Sequence, residues 1–282
     1  MKGKVLEQIV QKILLNQGYD RLNRDDPKFD PSTGKFEGRG ADHELDAFGQ
    51  YKHSIPFVNP IRLFGEAKCY KPNYSVGVDI IREAITVRKD IDENYESQSG
   101  DPAGDRRVEC FAVFSTSGFS SSAIKLARAH GIYLVPLGHL RPVVDEILRQ
   151  HNPQTHKEAE NAVNTYFSEI QRNRWHFASI TTSYPVALRG TLPEEMLSNT
   201  DSLFASATLT DSEVSNATQF HIEDNKTDSQ WKLTTEVPTW MLEYAIDWSE
   251  DGYLSLVIPT VLNELTRQIR VELISEDLES VL

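Results

Sequence analysis

IRLFGEAKCY, residues 61–70, is the stretch on which the reading of this chain turns. Its length and apolar content are those of a β-strand. Near its end stand Glu66 and Lys68. Side chains alternate across a strand, so these two share one face and Ala67 takes the other. An isolated Glu-x-Lys is most often a solvated ion pair worth about 0–1 kcal/mol. Here the flanks are apolar, where an unpaired carboxylate or ammonium is costly to bury. The preceding stretch HELDAFGQY (43–51) reads as a second strand, joined to the first by a turn around 54–60, and it carries Asp46. If the strands pair, Asp46 reaches the face of Glu66. Two converging carboxylates repel unless a cation lies between them. Mg²⁺ takes oxygen ligands and keeps reactive waters. A neighbouring lysine can position or activate an attacking water, or stabilise charge on a phosphate. Period-2 alternation puts Glu44 on the face of Asp46 as well, so spacing alone leaves open which of the two would hold the metal.

Working outward, residues 4–16 place Val5, Leu6, Ile9, Val10, Ile13 and Leu14 at helical spacing, with Glu7 at the edge of the apolar face and Gly18 as the stop. Residues 23–41 read as a polar loop. Residues 77–93 return to helical periodicity, and 97–105 read as a loop. VECFAVFST (108–116) is a strand buried on both faces. SSSAIKLARAHG (120–131) is a capped helix, IYLVPL (132–137) a short buried strand, and a helix near 143–150 follows. This order predicts an α/β unit around a mixed sheet. One more helix is expected at 157–172, then β-rich stretches separated by polar turns. The predicted division is residues 1–150 and a smaller β-rich α+β domain at 157–282.

The 282 residues carry a net charge of -13. Residues 1–150 hold 21 basic and 21 acidic side chains, and residues 151–282 hold 8 and 21. An acidic surface repels phosphate backbones. Any nucleic acid is therefore expected on the N-terminal half, and a protein partner on the acidic half. No apolar run reaches the roughly 20 residues of a membrane span. No signal-peptide pattern is found, so a cytoplasmic location without membrane contact is expected. Cys69 and Cys110 form no CxxC pair, and the eight histidines form no HExxH pattern, so a disulfide scaffold and a zinc site are not predicted.

These stretches, in order, resemble the PD-(D/E)xK nuclease superfamily, and more narrowly the catalytic domain of Mrr-type restriction endonucleases. LEQIVQKILLNQGYD resembles the first helix, with Glu7 as its acid. GRGADHELDAFG resembles the glycine-rich turn into the catalytic aspartate, Asp46. FGEAKCYKPNYSVGVDIIREA resembles the strand and helix that carry Glu66 and Lys68. FAVFSTSGFSSSAIKLARAHGIYLVPL resembles the closing strand, Ser/Thr loop, helix and strand. The likeness covers about residues 1–140. It implies a restriction-endonuclease-like mixed central sheet flanked by helices, and a Mg²⁺-dependent endodeoxyribonuclease, with Mn²⁺ a substitute. Asp46, Glu66 and the Ala67 carbonyl would hold the metal, Lys68 would position or activate water, and Glu7 would complete the acidic cluster. It also implies a prokaryotic defence role, with a homodimer suited to cutting both strands. Glu44 stands where the family often has glycine.

Other readings stay beside these. Structure-selective cleavage, as in Holliday-junction resolvases, is the alternative within enzymes. An inactive nucleic-acid-binding module and a protein scaffold are the alternatives outside them. Ser115, Thr116 and Ser117 precede a helix and could hold a phosphate or cap the helix. Lys71, Asn73 and Tyr74 could track a DNA backbone or form a plain surface loop. Cys69 reads as core filler, His43 as a surface residue, and Trp231, Trp240, Trp248 and Tyr244 as a packed C-terminal core.

Overall fold

The computed structural model describes residues 1–16, 18–21, 28–52, 58–71, 73–94, 107–169, 175–180, 184–190, 202–211, 217–224, 231–238, 253–259 and 266–273. The loop expected at 97–105 and the residues Trp240, Tyr244 and Trp248 lie outside them. Among the described residues no helix is long and apolar enough to cross a membrane.

The chain opens with α1 (Lys2–Asn16) and the short strands β1 (Tyr19–Asp20), β2 (Phe29–Asp30), β3 (Lys35–Glu37) and β4 (Asp42–Glu44). Then come β5 (Ala47–Tyr51), β6 (Ile61–Lys68), α2 (Val78–Glu93), β7 (Val108–Ser115), α3 (Ser121–His130), β8 (Ile132–Pro136), α4 (Arg141–His151) and α5 (His156–Glu169). The central sheet has the order β1-β5-β6-β7-β8. It is mixed: β5 runs antiparallel to β1 and β6, while β6, β7 and β8 are parallel. This is the expected α/β class, a mixed central sheet flanked by helices.

Helical spacing and strand alternation sort the apolar residues into two layers. On one face Val5, Leu6, Ile9, Val10, Ile13 and Leu14 of α1 pack with Leu63, Ala67 and Phe114 of the sheet and with α4 and α5. On the other, Ile81, Ala84 and Ile91 of α2 and Ala123, Ile124 and Ala127 of α3 pack with Phe64, Phe111 and Val113. The alternation of β6 continues this split, so Arg62, Phe64, Glu66 and Lys68 belong to the α2 side. Arg62 is fully buried there. Its guanidinium lies 5.5 and 5.0 Å from the ring centres of Phe36 and Phe64 and pairs with Glu109.

Three expectations change. Residues 23–41, expected as a polar loop, carry β2 and β3, and Phe36 of β3 is buried. The strand expected over 43–51 is broken at Leu45 and Asp46. Its first part, β4, pairs with β3 in a separate three-stranded sheet, β2-β3-β4. Leu45 turns into the α2-side core with Phe36. The helix expected at 157–172 forms as α5, but it buries Ala159, Ala162, Val163 and Tyr166 against α1 and α4. Its apolar stripe therefore completes the N-terminal unit.

The β-rich remainder is a closed barrel of β9 (Trp175–Ile180), β10 (Tyr184–Gly190), β11 (Ser202–Asp211), β12 (Ala217–Asp224), β13 (Lys232–Pro238), β14 (Tyr253–Pro259) and β15 (Thr266–Leu273). Its order is β10-β13-β12-β11-β15-β14-β9, closed by β9 against β10, and only β11 and β15 pair in parallel. Ala205, Ala207, Leu209, Phe220, Ile222, Leu233 and Val237 are buried at alternating positions. Trp231 is buried beside them, as expected of a packed core. Residues 170–282 hold 7 basic and 18 acidic side chains, so the acidic excess stays beyond α5.

Candidate active site

The site forms at the C-terminal end of β6, where Asp46 meets Glu66 and Lys68. Asp46 sits in the bend between β4 and β5, and its Oδ2 accepts a hydrogen bond from the Ala67 amide at 2.7 Å. That bond fixes the carboxylate beside the neighbouring strand. Glu66 lies within reach of the charge of Asp46 and forms an ion pair with Lys68. Glu7 comes from α1, and its charge acts on both Asp46 and Glu66. The four residues expected at one site therefore converge. Glu44 is exposed on β4, opposite Lys35, and the broken strand removes it from the face of Asp46. Asp46, not Glu44, is the acid that meets Glu66.

Electrostatics follow from this crowding. Burial raises the proton affinity of Asp46, and Glu7 adds to it, while the Ala67 amide opposes it. Burial and then the charge of Asp46 raise Glu66. Burial and then Glu66 raise Glu7. Burial alone would lower Lys68, but the hydrogen bond and charge of Glu66 outweigh it, so the ammonium is held charged. Three acids thus crowd around the Lys68 ammonium in a half-buried place, with Lys4 offsetting part of the charge on Glu7. Among the described residues no group of three or more His, Cys, Asp and Glu is arranged to hold a metal by itself. A magnesium site needs less: one or two carboxylates suffice, with waters and substrate oxygens completing the shell. The mutual repulsion of Asp46 and Glu66 is the feature a divalent cation would relieve, so the donor set fits.

Supporting contacts explain why the acids stay in place. Gln11, one helical turn after Glu7, donates from Nε2 to the Phe48 carbonyl at 3.1 Å and accepts from the Phe48 amide at 3.1 Å. It ties α1 to β5 two residues beyond Asp46. The helical offset from Glu7 was a signal for it, since positions four apart share a face. His156 Nδ1 lies 3.5 Å from Glu7 Oε2. Asp90 of α2 accepts from the Gly40 and Ala41 amides at 3.0 and 3.3 Å and contacts His43 Nε2 at 2.7 Å. The His43 hydrogen bond, with the turn amides behind it, holds the Asp90 carboxyl below its ordinary range. A Cβ at Gly38 would stand 2.1 Å from Asp90 Oδ2, so this turn before the site requires glycine. His43 accordingly belongs to the turn and is half-buried.

Ser115, Thr116 and Ser117 do not cap α3. All three are buried. Ser115 Oγ lies 3.2 Å from Ser117 Oγ and donates to the Gly118 carbonyl at 3.3 Å. The cap of α3 is Ser120, whose Oγ accepts from the Ala123 amide at 3.2 Å. The three residues close a turn and present no side chain to a ligand. Lys71, Asn73 and Tyr74 are exposed on the segment that leaves β6. Cys69 packs against the α1-side core, as expected of filler.

No protein-family model matches the sequence. No curated protein matches it either. Solved structures to which the chain is similar include the protein of unknown function AF1548, at 14% identity over 59% of this chain and 97% of that one, with a TM-score of 0.36. The DNA modification-dependent restriction endonuclease AspBHI shares 15% identity over 58% of this chain and 35% of its own, at a TM-score of 0.31. The MspJI restriction endonuclease in complex with a 27-mer oligonucleotide shares 15% over 61% and 34%, also at 0.31. The chain spans about a third of the length of these two enzymes.

Proposed function

We propose that the chain is a metal-dependent endodeoxyribonuclease of the PD-(D/E)xK type, Mrr-like in its motifs, that hydrolyses phosphodiester bonds in DNA. The observation that carries this reading is the meeting of Asp46, Glu66 and Lys68 at the end of β6, with Glu7 reaching the same acids from α1. Asp46 and Glu66, with the Ala67 carbonyl, would hold Mg²⁺ or Mn²⁺. Such an ion, when bound, neutralises charge on the scissile phosphate and lowers the pKa of its water. Lys68 remains an ammonium, so it acts as a donor that orients the attacking water or holds a phosphate oxygen. Glu7, with its raised proton affinity, is suited to accept the proton that water gives up. The acidic barrel repels a phosphate backbone and is suited to a protein partner that regulates the nuclease in a prokaryotic defence setting.

The test is cleavage of plasmid and linear DNA with Mg²⁺ or Mn²⁺, comparing wild type with Lys68→Ala. Loss of one such donor lowers the rate by about 10²–10³. Equal cutting by both proteins, or cutting that persists in a chelator, would overturn the assignment.

A further inference from the structure

The segment that follows Lys68 has no role in the chemistry above, and it exposes two aromatic side chains. Tyr70 is 36% exposed and Tyr74 69%. They make two of the five large apolar side chains exposed among the described residues, and they flank Lys71. Tyr70 continues the alternation of Glu66 and Lys68, and its phenol is an electrostatic neighbour of the Lys68 ammonium. The Tyr74 amide donates to the Lys71 carbonyl at 2.9 Å, which closes a turn and brings the two tyrosines to one short stretch of surface. The turn is anchored at its base. Arg141 donates to the Tyr70 carbonyl at 2.5 Å and to the Thr116 carbonyl at 3.0 Å. The Val76 amide donates to the Gly118 carbonyl at 2.9 Å.

Exposed aromatic rings beside a lysine, in the segment that directly follows Lys68, match one ligand chemistry well: a nucleobase. Stacking on tyrosine is tolerant of base identity, because every base has a π-face. In continuous duplex the base faces are covered by their neighbours. Only an unstacked base can reach such rings.

We propose that Tyr70 and Tyr74 form a stacking site for an unpaired nucleobase next to the scissile phosphate, so that the substrate is DNA with single-stranded or interrupted character at the cut. This rests on the nuclease reading for the position of the phosphate, but base stacking is measurable without cleavage. The full chain carrying Lys68→Ala, which slows turnover by about 10²–10³, serves as the reference. It is titrated in Mg²⁺ with a fluorescently labelled single-stranded oligonucleotide and with the matching duplex, and binding is followed by anisotropy. Adding Tyr74→Ala should weaken single-strand binding by about tenfold, since one stacked base is worth about 1–3 kcal/mol. Duplex binding should change less than about twofold, and Tyr74→Phe, which keeps the ring, should bind like the reference. Tyr70→Ala should behave as Tyr74→Ala does, and circular dichroism verifies that each variant is folded. The proposal is overturned if the reference does not bind single strands, if Tyr74→Ala binds them as the reference does, or if both DNAs weaken alike. Should wild type cut no DNA while the tyrosine variants lose single-strand affinity, the nuclease reading fails and the stacking site stands.

Discussion

Asp46→Asn tests the electrostatic account of the site at its centre. In the metal-free protein near neutral pH, Asp46 and Glu66 face the ammonium of Lys68, and Glu7 adds a third negative charge that Lys4 only partly offsets. The asparagine keeps an oxygen to accept the Ala67 amide, now held at 2.7 Å. Its amide nitrogen can donate to Glu66, replacing a contact between two acids. A hydrogen bond to a charged group is worth about 1.5–3 kcal/mol, and weakening the charge-assisted bond from Ala67 gives back about 1 kcal/mol. The net expectation is a gain of about 1–2 kcal/mol, or roughly 2–4 °C in Tm for each kcal/mol in a chain of this size. The pH dependence has a definite sign. The folded-state pKa values of all three acids are raised, so the native state binds more protons than the unfolded chain. Their contribution to stability is present at low pH and is lost as pH rises above the ordinary carboxylate range of about 4–4.5. The advantage of Asp46→Asn should therefore be largest at pH 7.5 and shrink towards pH 5. Mg²⁺ should raise the Tm of the parent more than that of the variant, because binding to the folded site alone stabilises by mass action. Thermal melts at the two pH values, with chelator and with Mg²⁺, read all of this. A variant that melts at or below the parent at pH 7.5 without metal, with no pH trend, would refute the reasoning.

Two other substitutions probe the frame around the site. Glu109→Gln removes the negative charge that Glu109 sets against the buried Arg62 guanidinium between Phe36 and Phe64, and should destabilise by about 3–5 kcal/mol in denaturant titration. The pair Arg62→Met with Glu109→Leu should recover most of that loss. Gln11→Leu removes both hydrogen bonds to Phe48 and leaves a strand amide and carbonyl without them. It should cost about 1–3 kcal/mol. It should also lower the cleavage rate, because β5 positions Asp46, while a rate equal to wild type would separate Gln11 from the site.

The residues at the centre of the site were legible because two periodicities cross there. Alternation along β6 put Glu66 with Lys68, and helical spacing placed Glu7 at the rim of the α1 stripe. The α/β class with a mixed sheet then follows from buried strands between amphipathic helices. The broken strand at Asp46 was not legible: HELDAFGQY has no proline, and its one glycine lies after the break. What breaks it is Leu45 turning into the core with Phe36 while β4 pairs with β3. Both contacts reach back to β3, outside the stretch itself. That Ser115, Thr116 and Ser117 do not cap α3 was not legible for a related reason. Small hydroxyl side chains satisfy one another in a buried turn as readily as they cap a helix, and composition does not separate the two. The barrel's strands were visible as β-rich, but Ser and Thr on both phases blur their alternation, and closure depends on pairings such as β11 with β15.

The position of α5 alters how regulation by the acidic part can be tested. Its stripe was visible in the sequence, but a stripe does not say which partner it meets. In the structure Ala159, Ala162, Val163 and Tyr166 are part of the same core as α1. Lys12 donates to Asn164 at 3.1 Å, and Arg21 pairs with Glu160 at 2.9 Å. A fragment ending at residue 150 would uncover this face of α1. Burying the larger side chains alone is worth about 1.5–3 kcal/mol each, so the loss is about 5 kcal/mol, comparable with the whole stability of a modest domain. It would also remove His156 from Glu7. The fragment 1–150 is therefore expected to aggregate or melt far below the full chain, whereas 1–170 should fold cooperatively and keep a response to Mg²⁺. If both fragments give the same cooperative melt, α5 does not belong to the nuclease unit. If 1–170 cuts DNA as the full chain does under every condition, the barrel is not a regulator.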